Sequence, residues 1–174
     1  MENGRGRKRI RKNLIIIRGL PGVGKENQAR KLLYKFGSGG MYSASYYHAG
    51  YNWNKVYFSR NHMWNRRDVF RAMKEDVDPI IVYNMHYRLY DMWPFVAMGM
   101  RRGDYQISII ELPKGYPENY VSINQLYSNC LGKIPKQMFR YWEDRWQEAY
   151  DIWDVYHDSY SIDRWLYSRE EWNL

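Results

Sequence analysis

Cysteine is nearly missing from this chain: Cys130 stands alone among 174 residues. No intrachain disulfide can form, which points to a reducing compartment and to a core held without covalent staples. Long apolar runs are missing as well. Leu14 to Ile17 is among the longest aliphatic stretches, far short of the roughly 20 residues that cross a bilayer. It meets Arg18 and Gly19 at once, so it does not read as the core of a signal peptide. These absences predict an intracellular protein, nuclear or cytoplasmic, with no membrane partner. His48, His62, His86 and His157 lack metal-ligand spacing, and one thiol does not complete a zinc site with them, so no metal site of that kind is expected. There is no repeat and no nucleophile–base spacing.

What is present is charge and aromatic mass. The formal charge of +8 and pI near 9.5 suit a polyanion partner, without choosing between nucleic acid, acidic protein and plain solubility. The 18 Tyr, 8 Trp and 5 Phe are spread along the chain. That spread favours core volume and half-buried surface over one stacking platform for bases or a partner. The length suits one compact domain.

Residues 1–13 form a basic tail with Arg5, Arg7, Lys8, Arg9, Arg11 and Lys12. Such a block self-repels and is expected to be disordered, whether it contacts phosphates, acts as a nuclear-import signal or is merely solvated. A single domain is expected over 14–174. Asn13 to Arg18 reads as a strand buried on both faces, because its hydrophobicity is unbroken rather than alternating. Lys25 to Phe36 has helical spacing and stops at Gly37. Met41 to Ala44 reads as a strand, followed by a Ser/Tyr-rich loop to Tyr51. His62 to Asp76 reads as a helix with Trp64, Val69, Phe70 and Met73 inward. Pro79 to Tyr83 and Tyr105 to Leu112 read as strands around a helix at Tyr90 to Arg102. Strands alternating with helices imply βαβ units and a mostly parallel sheet flanked by helices.

The remainder reads as helical. Asn119 to Cys130 is one helix, and Pro135 opens another. Residues 140–162 read as one aromatic amphipathic helix, with Trp142, Trp146, Trp153 and Tyr156 on a stripe and acidic residues between them. That stripe either docks on its own domain or presents anchors to a protein partner. The acidic end opposes the basic beginning, so the chain is electrically polar.

Between the first strand and first helix lies Gly19-Leu20-Pro21-Gly22-Val23-Gly24-Lys25-Glu26. It fits the phosphate-loop pattern G-x-x-x-x-G-K-[ST] except at the last place. Glycines let successive N–H groups converge on a phosphate, and Lys25 meets the β- and γ-phosphates. ATP or GTP with magnesium is the cofactor such a loop takes. Glu26 stands where an alcohol normally reaches the metal. A carboxylate can ligate magnesium, yet its repulsion with phosphate over about 4 Å costs on the order of 1–4 kcal/mol.

The residues from about Asn13 to Arg145 resemble the P-loop kinase-like module of the Nedd-four-binding protein two-like family, itself similar to polynucleotide kinases. LIIIRGLPGVGK, YSASYYH at Tyr42 to His48, HMWN at His62 to Asn65, PIIVYN at Pro79 to Asn84, MWPFVAM at Met92 to Met98 and GDYQISIIELP at Gly103 to Pro113 carry the likeness. It implies a P-loop α/β sandwich with a helical lid. It also marks departures. Ser45 and Tyr46 replace a pair of aspartates, the first of them the base for a substrate 5′-hydroxyl. Tyr83 and Asn84 begin a segment where relatives read Asp-Asn-Thr-Asn, and Ser128 replaces a lid arginine.

The expectation is a catalytically degenerate module that binds RNA or another nucleic acid, with Arg66, Arg67, Arg101 and Arg102 as phosphate contacts. Two other readings stay open: a structural interaction subunit using the Trp/Tyr helix, and a residual ATP-dependent polynucleotide 5′-hydroxyl kinase.

Overall fold

The computed structural model describes residues 11–48, 57–114 and 118–166. Residues 1–10 of the basic tail, the end of the Ser/Tyr-rich loop and residues 167–174 lie outside them. Strand β1 (Lys12–Arg18) is central in a parallel sheet of order β2-β3-β1-β4, with β2 Gly40–Tyr42, β3 Ile80–Tyr83 and β4 Tyr105–Glu111. The unbroken aliphatic run is explained by two covered faces. Leu14 and Ile16 join a cluster under one set of helices, while Ile15 and Ile17 face α1 (Lys25–Phe36) and its Ala29. α1 ends as its glycine signal requires, with Gly37 left-handed at φ 73° and its N–H donating to the Leu33 carbonyl.

The other face carries α2 (Phe58–Lys74) and α3 (Leu89–Arg102). A proline inside α3 organises the chain's end. Pro94 has no N–H to offer the Tyr90 carbonyl, one helical turn earlier. Trp165 Nε1 donates to that carbonyl at 3.0 Å, and its ring stacks on Tyr90 at 4.7 Å. Trp165 belongs to α7 (Ser159–Leu166), which thereby docks on α3. The helical pair α4 (Ile123–Asn129) and α5 (Lys136–Asp144) forms the lid, with its own core of Leu126, Ile134, Phe139 and Trp142 against Leu20 and Val23.

Several boundaries shift. β1 begins at Lys12, whose ammonium binds Asp76 at 2.6 Å and Asp104 at 2.8 Å, so it belongs to the sheet rather than the tail. α2 begins at Phe58 rather than His62, and α4 at Ile123, because Ser122 caps it by accepting from Gln125 N. Trp64 points outward, 38% exposed, under the Arg60 guanidinium.

The single helix over 140–162 does not form. α5 stops at Asp144; α6 (Ile152–Tyr156) and α7 are separate. Asp151 and Asp158 read as polar-face residues, but both act as caps. Asp151 accepts from Trp153 N and Asp154 N, and Asp158 accepts from Ser161 N. Carboxylates that bond to the backbone in this way end one helix and start the next. Between α5 and α6, Gln147 is held from three sides. Its N–H donates to Tyr87 O, its Oε1 accepts from Leu89 N, and its carbonyl accepts from Arg18 Nη2.

Candidate phosphate-loop cleft

The end of β1 feeds the glycine loop directly. Gly24 sits at φ +97° in open space, so glycine is needed there for conformation alone. Gly22, at φ +83°, is also needed for room. A Cβ there would come within 2.9 Å of the Leu126 carbonyl oxygen and 3.1 Å of Cys130 Sγ. The lid therefore rests on the loop, and Asn129 Nδ2 donates to Gly22 O at 2.8 Å. Lys25 Nζ donates to Gly19 O at 2.7 Å and Leu20 O at 2.9 Å. Burial pulls this ammonium down to about 8, opposed by the nearby Cys130 thiol.

Glu26 turns away from the loop to Arg30, one helical turn on, at 2.5 Å. Across the cleft lies a neutral web centred on buried Asn84. Its Oδ1 accepts from Ala44 N at 2.8 Å and Ser43 Oγ at 3.2 Å, and its Nδ2 donates to Asn65 Oδ1 at 2.9 Å. Ser45 shares a hydrogen bond of 2.7 Å with Ser43. His86, left-handed at φ 49° and edge-on to Phe95, completes the web. Burial, reinforced by the charges of His62, Arg18 and Lys25, holds its imidazole well below the usual range and hence neutral.

These elements enclose an open cleft of about 1560 Å³. Pro21 to Glu26 line it, with Ser45, Tyr83, Asn84, Arg66 and Trp142. Gly19 and Leu20 lie behind the loop's lining, within the fold. Tyr46 is 77% exposed and edge-on to Tyr47 rather than in the cleft. Ser128 lies outside the lining, which takes its neighbours Asn129 and Cys130. Arg67 is exposed on α2, outside the lining.

Arg101 and Arg102 lie apart from the cleft, since they end α3 at the opposite end of the sheet. There Arg102 bonds Asp76 at 2.7 Å and Asp104 at 3.0 Å, beside the start of β1. Trp146 makes its contacts within the fold. It lies under the Arg18 guanidinium at 4.4 Å and donates to Glu111. Trp153 is 48% exposed, while the Tyr156 carbonyl accepts from Trp93 Nε1.

Three cleft residues, Arg88, Lys133 and Trp165, escaped sequence reasoning, as did Arg18, buried behind the cleft. Arg18 is fully buried: Nε donates to His86 O at 3.1 Å, and Nη1 lies 3.2 Å from Glu111 Oε2 without hydrogen-bond geometry. Burial lowers its pKa and Glu111 opposes that. Arg88 pairs with Asp91 at 2.7 Å, and Asp91 accepts from Arg88 N, capping α3 rather than standing as an exposed charge. Lys133 reaches the cleft from the lid, five residues beyond Ser128. Trp165 carries the Arg66 guanidinium over its ring at 4.8 Å. Only Lys133 left a sequence signal, a base following the Gly132 turn.

Among the described residues no group of three His, Cys, Asp or Glu is placed to hold a metal ion, and no helix is long and apolar enough to cross a membrane. No family model matches the chain. Over 91 residues, 51% of this chain and 5% of the relative, it is 32% identical to NEDD4-binding protein 2 of Homo sapiens. The structure of the Pnkp1/Rnl/Hen1 RNA repair complex superposes with a TM-score of 0.63 at 14% identity, covering 93% of this chain and 49% of that one. The crystal structure of APE1195 gives 0.52 at 11% identity, covering 91% of this chain and 98% of that one. The chain thus spans a small fraction of the first relative and about half of the first structure. With the phosphate loop on a central parallel strand, these likenesses establish a P-loop kinase-type fold.

Proposed function

We propose that this chain is a catalytically degenerate polynucleotide-kinase-like protein that binds nucleic acid, RNA foremost, in the phosphate-loop cleft. One observation carries the reading. The carboxylates lining the cleft, Glu26 and Asp91, are both turned onto arginines, and the wall opposite Lys25 is neutral. A 5′-hydroxyl placed there meets Ser45, which cannot take a proton at neutral pH. Lys25, Arg66, Arg88 and Lys133 line the same space and supply phosphate contacts without sequence preference. Tyr87 and Tyr141, partly exposed in the same lining, offer rings on which bases stack.

The loop's backbone and Lys25 fit the phosphates of ATP or GTP. The magnesium side fits poorly, because no alcohol follows Lys25 and Glu26 is bound to Arg30. Bound nucleotide would then occupy the loop as a structural ligand. The interaction-subunit reading loses Trp142 and Trp146, which are used inside the fold, and keeps only the exposed Trp153.

The test is an anisotropy titration of a labelled single-stranded RNA across salt concentrations. Affinity should fall steeply with salt, and Arg66→Ala or Lys133→Ala should each lower the log–log slope by about 1. Salt-independent or absent binding ends the nucleic-acid reading. Phosphate transfer from labelled ATP to a 5′-hydroxyl oligonucleotide, lost in Lys25→Ala, would end the degenerate one.

A further inference from the structure

The first turn of α1 carries no side-chain cap. Gly24 has no side chain to offer, and the first helical bond runs from Gln28 N to the Gly24 carbonyl at 3.0 Å. The N–H groups of Gly24, Lys25, Glu26 and Asn27 precede that bond and have no acceptor along the helix. All four residues line the cleft. Gly22 and Gly24 are left-handed, the conformation in which successive N–H groups turn to one side and form an anion nest. Lys25 spends two bonds on Gly19 O and Leu20 O and keeps a third proton. The site is a donor cradle with a cation beside it, suited to an anion with several free oxygens.

Three features select among anions. No alcohol follows Lys25 and Glu26 is held by Arg30, so the loop lacks the group through which magnesium helps neutralise a triphosphate. A phosphate monoester carries only about −1.5 to −2 charge and three terminal oxygens, which N–H groups and one ammonium can meet unaided. A phosphodiester inside a chain has two such oxygens and is substituted on both sides. Nor does the loop leave a way past it, because it is packed from behind. A Cβ on Gly19 would lie 3.0 Å from the Leu112 carbonyl oxygen, and the lid's Leu126 and Cys130 close on Gly22. A polynucleotide that reaches Lys25 therefore ends there. The remaining room favours a polymer over a small ligand. The cleft's 1560 Å³ exceeds the roughly 300–1,000 Å³ of a small-molecule pocket, and Arg66, Arg88 and Lys133 line it beyond the loop.

We infer that the phosphate loop seats a phosphorylated end of single-stranded RNA without magnesium, with Lys25 on the terminal phosphate and Arg66 and Lys133 on the phosphates that follow. The inference rests on the nucleic-acid reading of the cleft and adds which part of the strand is held. The terminal phosphate takes the place that a nucleotide would hold in the loop. A phosphate monoester at the 5′ end and one at the 3′ end share this chemistry.

Anisotropy of one internally labelled RNA, measured in EDTA on the full chain, tests it. The strand carries a 5′-phosphate, a 3′-phosphate, or hydroxyls at both ends. A phosphorylated strand should bind about tenfold more tightly than the hydroxyl strand, the gain expected of a charge-assisted bond, and the strand that gains tells which end is read. Lys25→Ala should bring that strand's Kd to that of the hydroxyl strand in the same variant. The comparison of ends uses the wild-type chain, so it stands even where the variant fails to fold. A nucleoside 5′-monophosphate should compete about a hundredfold more weakly than the phosphorylated strand, for want of the later phosphate contacts. Equal, salt-dependent affinity for all three strands overturns the inference and leaves the nucleic-acid reading standing. No binding by any strand overturns both. A mononucleotide that competes as well as the phosphorylated strand also overturns the inference, as does a 5′-triphosphate strand that binds more tightly with magnesium than the monophosphate does without it.

Discussion

The two ends of the sheet are built from the same residue types to opposite effect. At the end where β1 starts, Lys12 and Arg102 converge on Asp76 and Asp104, and every charge is matched at the surface. At the phosphate-loop end, Lys25 and Arg66 face a wall of Asn84, Asn65 and Ser43 whose hydrogen bonds are internal. The contrast lies in what each arginine packs against. Arg102 pairs with carboxylates, whereas Arg66 lines the cleft with its guanidinium over the Trp165 ring.

The comparison breaks most visibly at Asn84. Asn84→Leu strands the Ala44 N–H and Asn65 in a buried site, and should cost about 3 kcal/mol or more by urea unfolding. In binding, Arg66→Ala should weaken RNA about tenfold, a loss of roughly 1.4 kcal/mol, and Trp165→Ala should follow it by releasing the guanidinium; Arg101→Ala should change affinity less than about twofold.

Acid sharpens the contrast. His86 is held below its ordinary 6.5, so below that pH the unfolded chain binds a proton that the folded one refuses, and stability falls. Asp104 is held far below its ordinary 3.8 by Arg102 and Lys12; its contribution is full above that value and is lost only as pH falls beneath it. Unfolding free energy should therefore start to fall near pH 6.5, and His86→Phe should remove that first step and leave the second. The smallest effect is Arg102→Ala, whose ion pairs are solvent-exposed and worth about 1 kcal/mol or less at neutral pH. A loss in Arg102→Ala as large as that in Asn84→Leu would erase the distinction between the ends.

Much of the sheet was legible because β1 and β3 report burial on both faces directly in composition. The loop from Gly19 to Lys25 was legible because its glycines serve local conformation. The cleft's basic wall was not, since arginines at 66, 67, 101 and 102 look alike until the chain turns α2 and α3 to different ends. The 140–162 stripe misled because period alone cannot tell a carboxylate on a polar face from one that caps a helix. Asp151 and Asp158 are caps, and the stripe is divided between the lid core, the Arg18 contact and the surface.

By itself the sequence determined the alternation of strands and helices as far as β4, the phosphate loop and the loss of an alcohol after Lys25, all properties of residues near each other along the chain. Only the tertiary structure decided that Glu26 turns to Arg30, that Lys133 enters from the lid, and that a proline's missing N–H seats Trp165 beneath Arg66. Those outcomes join residues tens of positions apart or depend on competing partners, and hydrogen-bond satisfaction in the packed state selects among them.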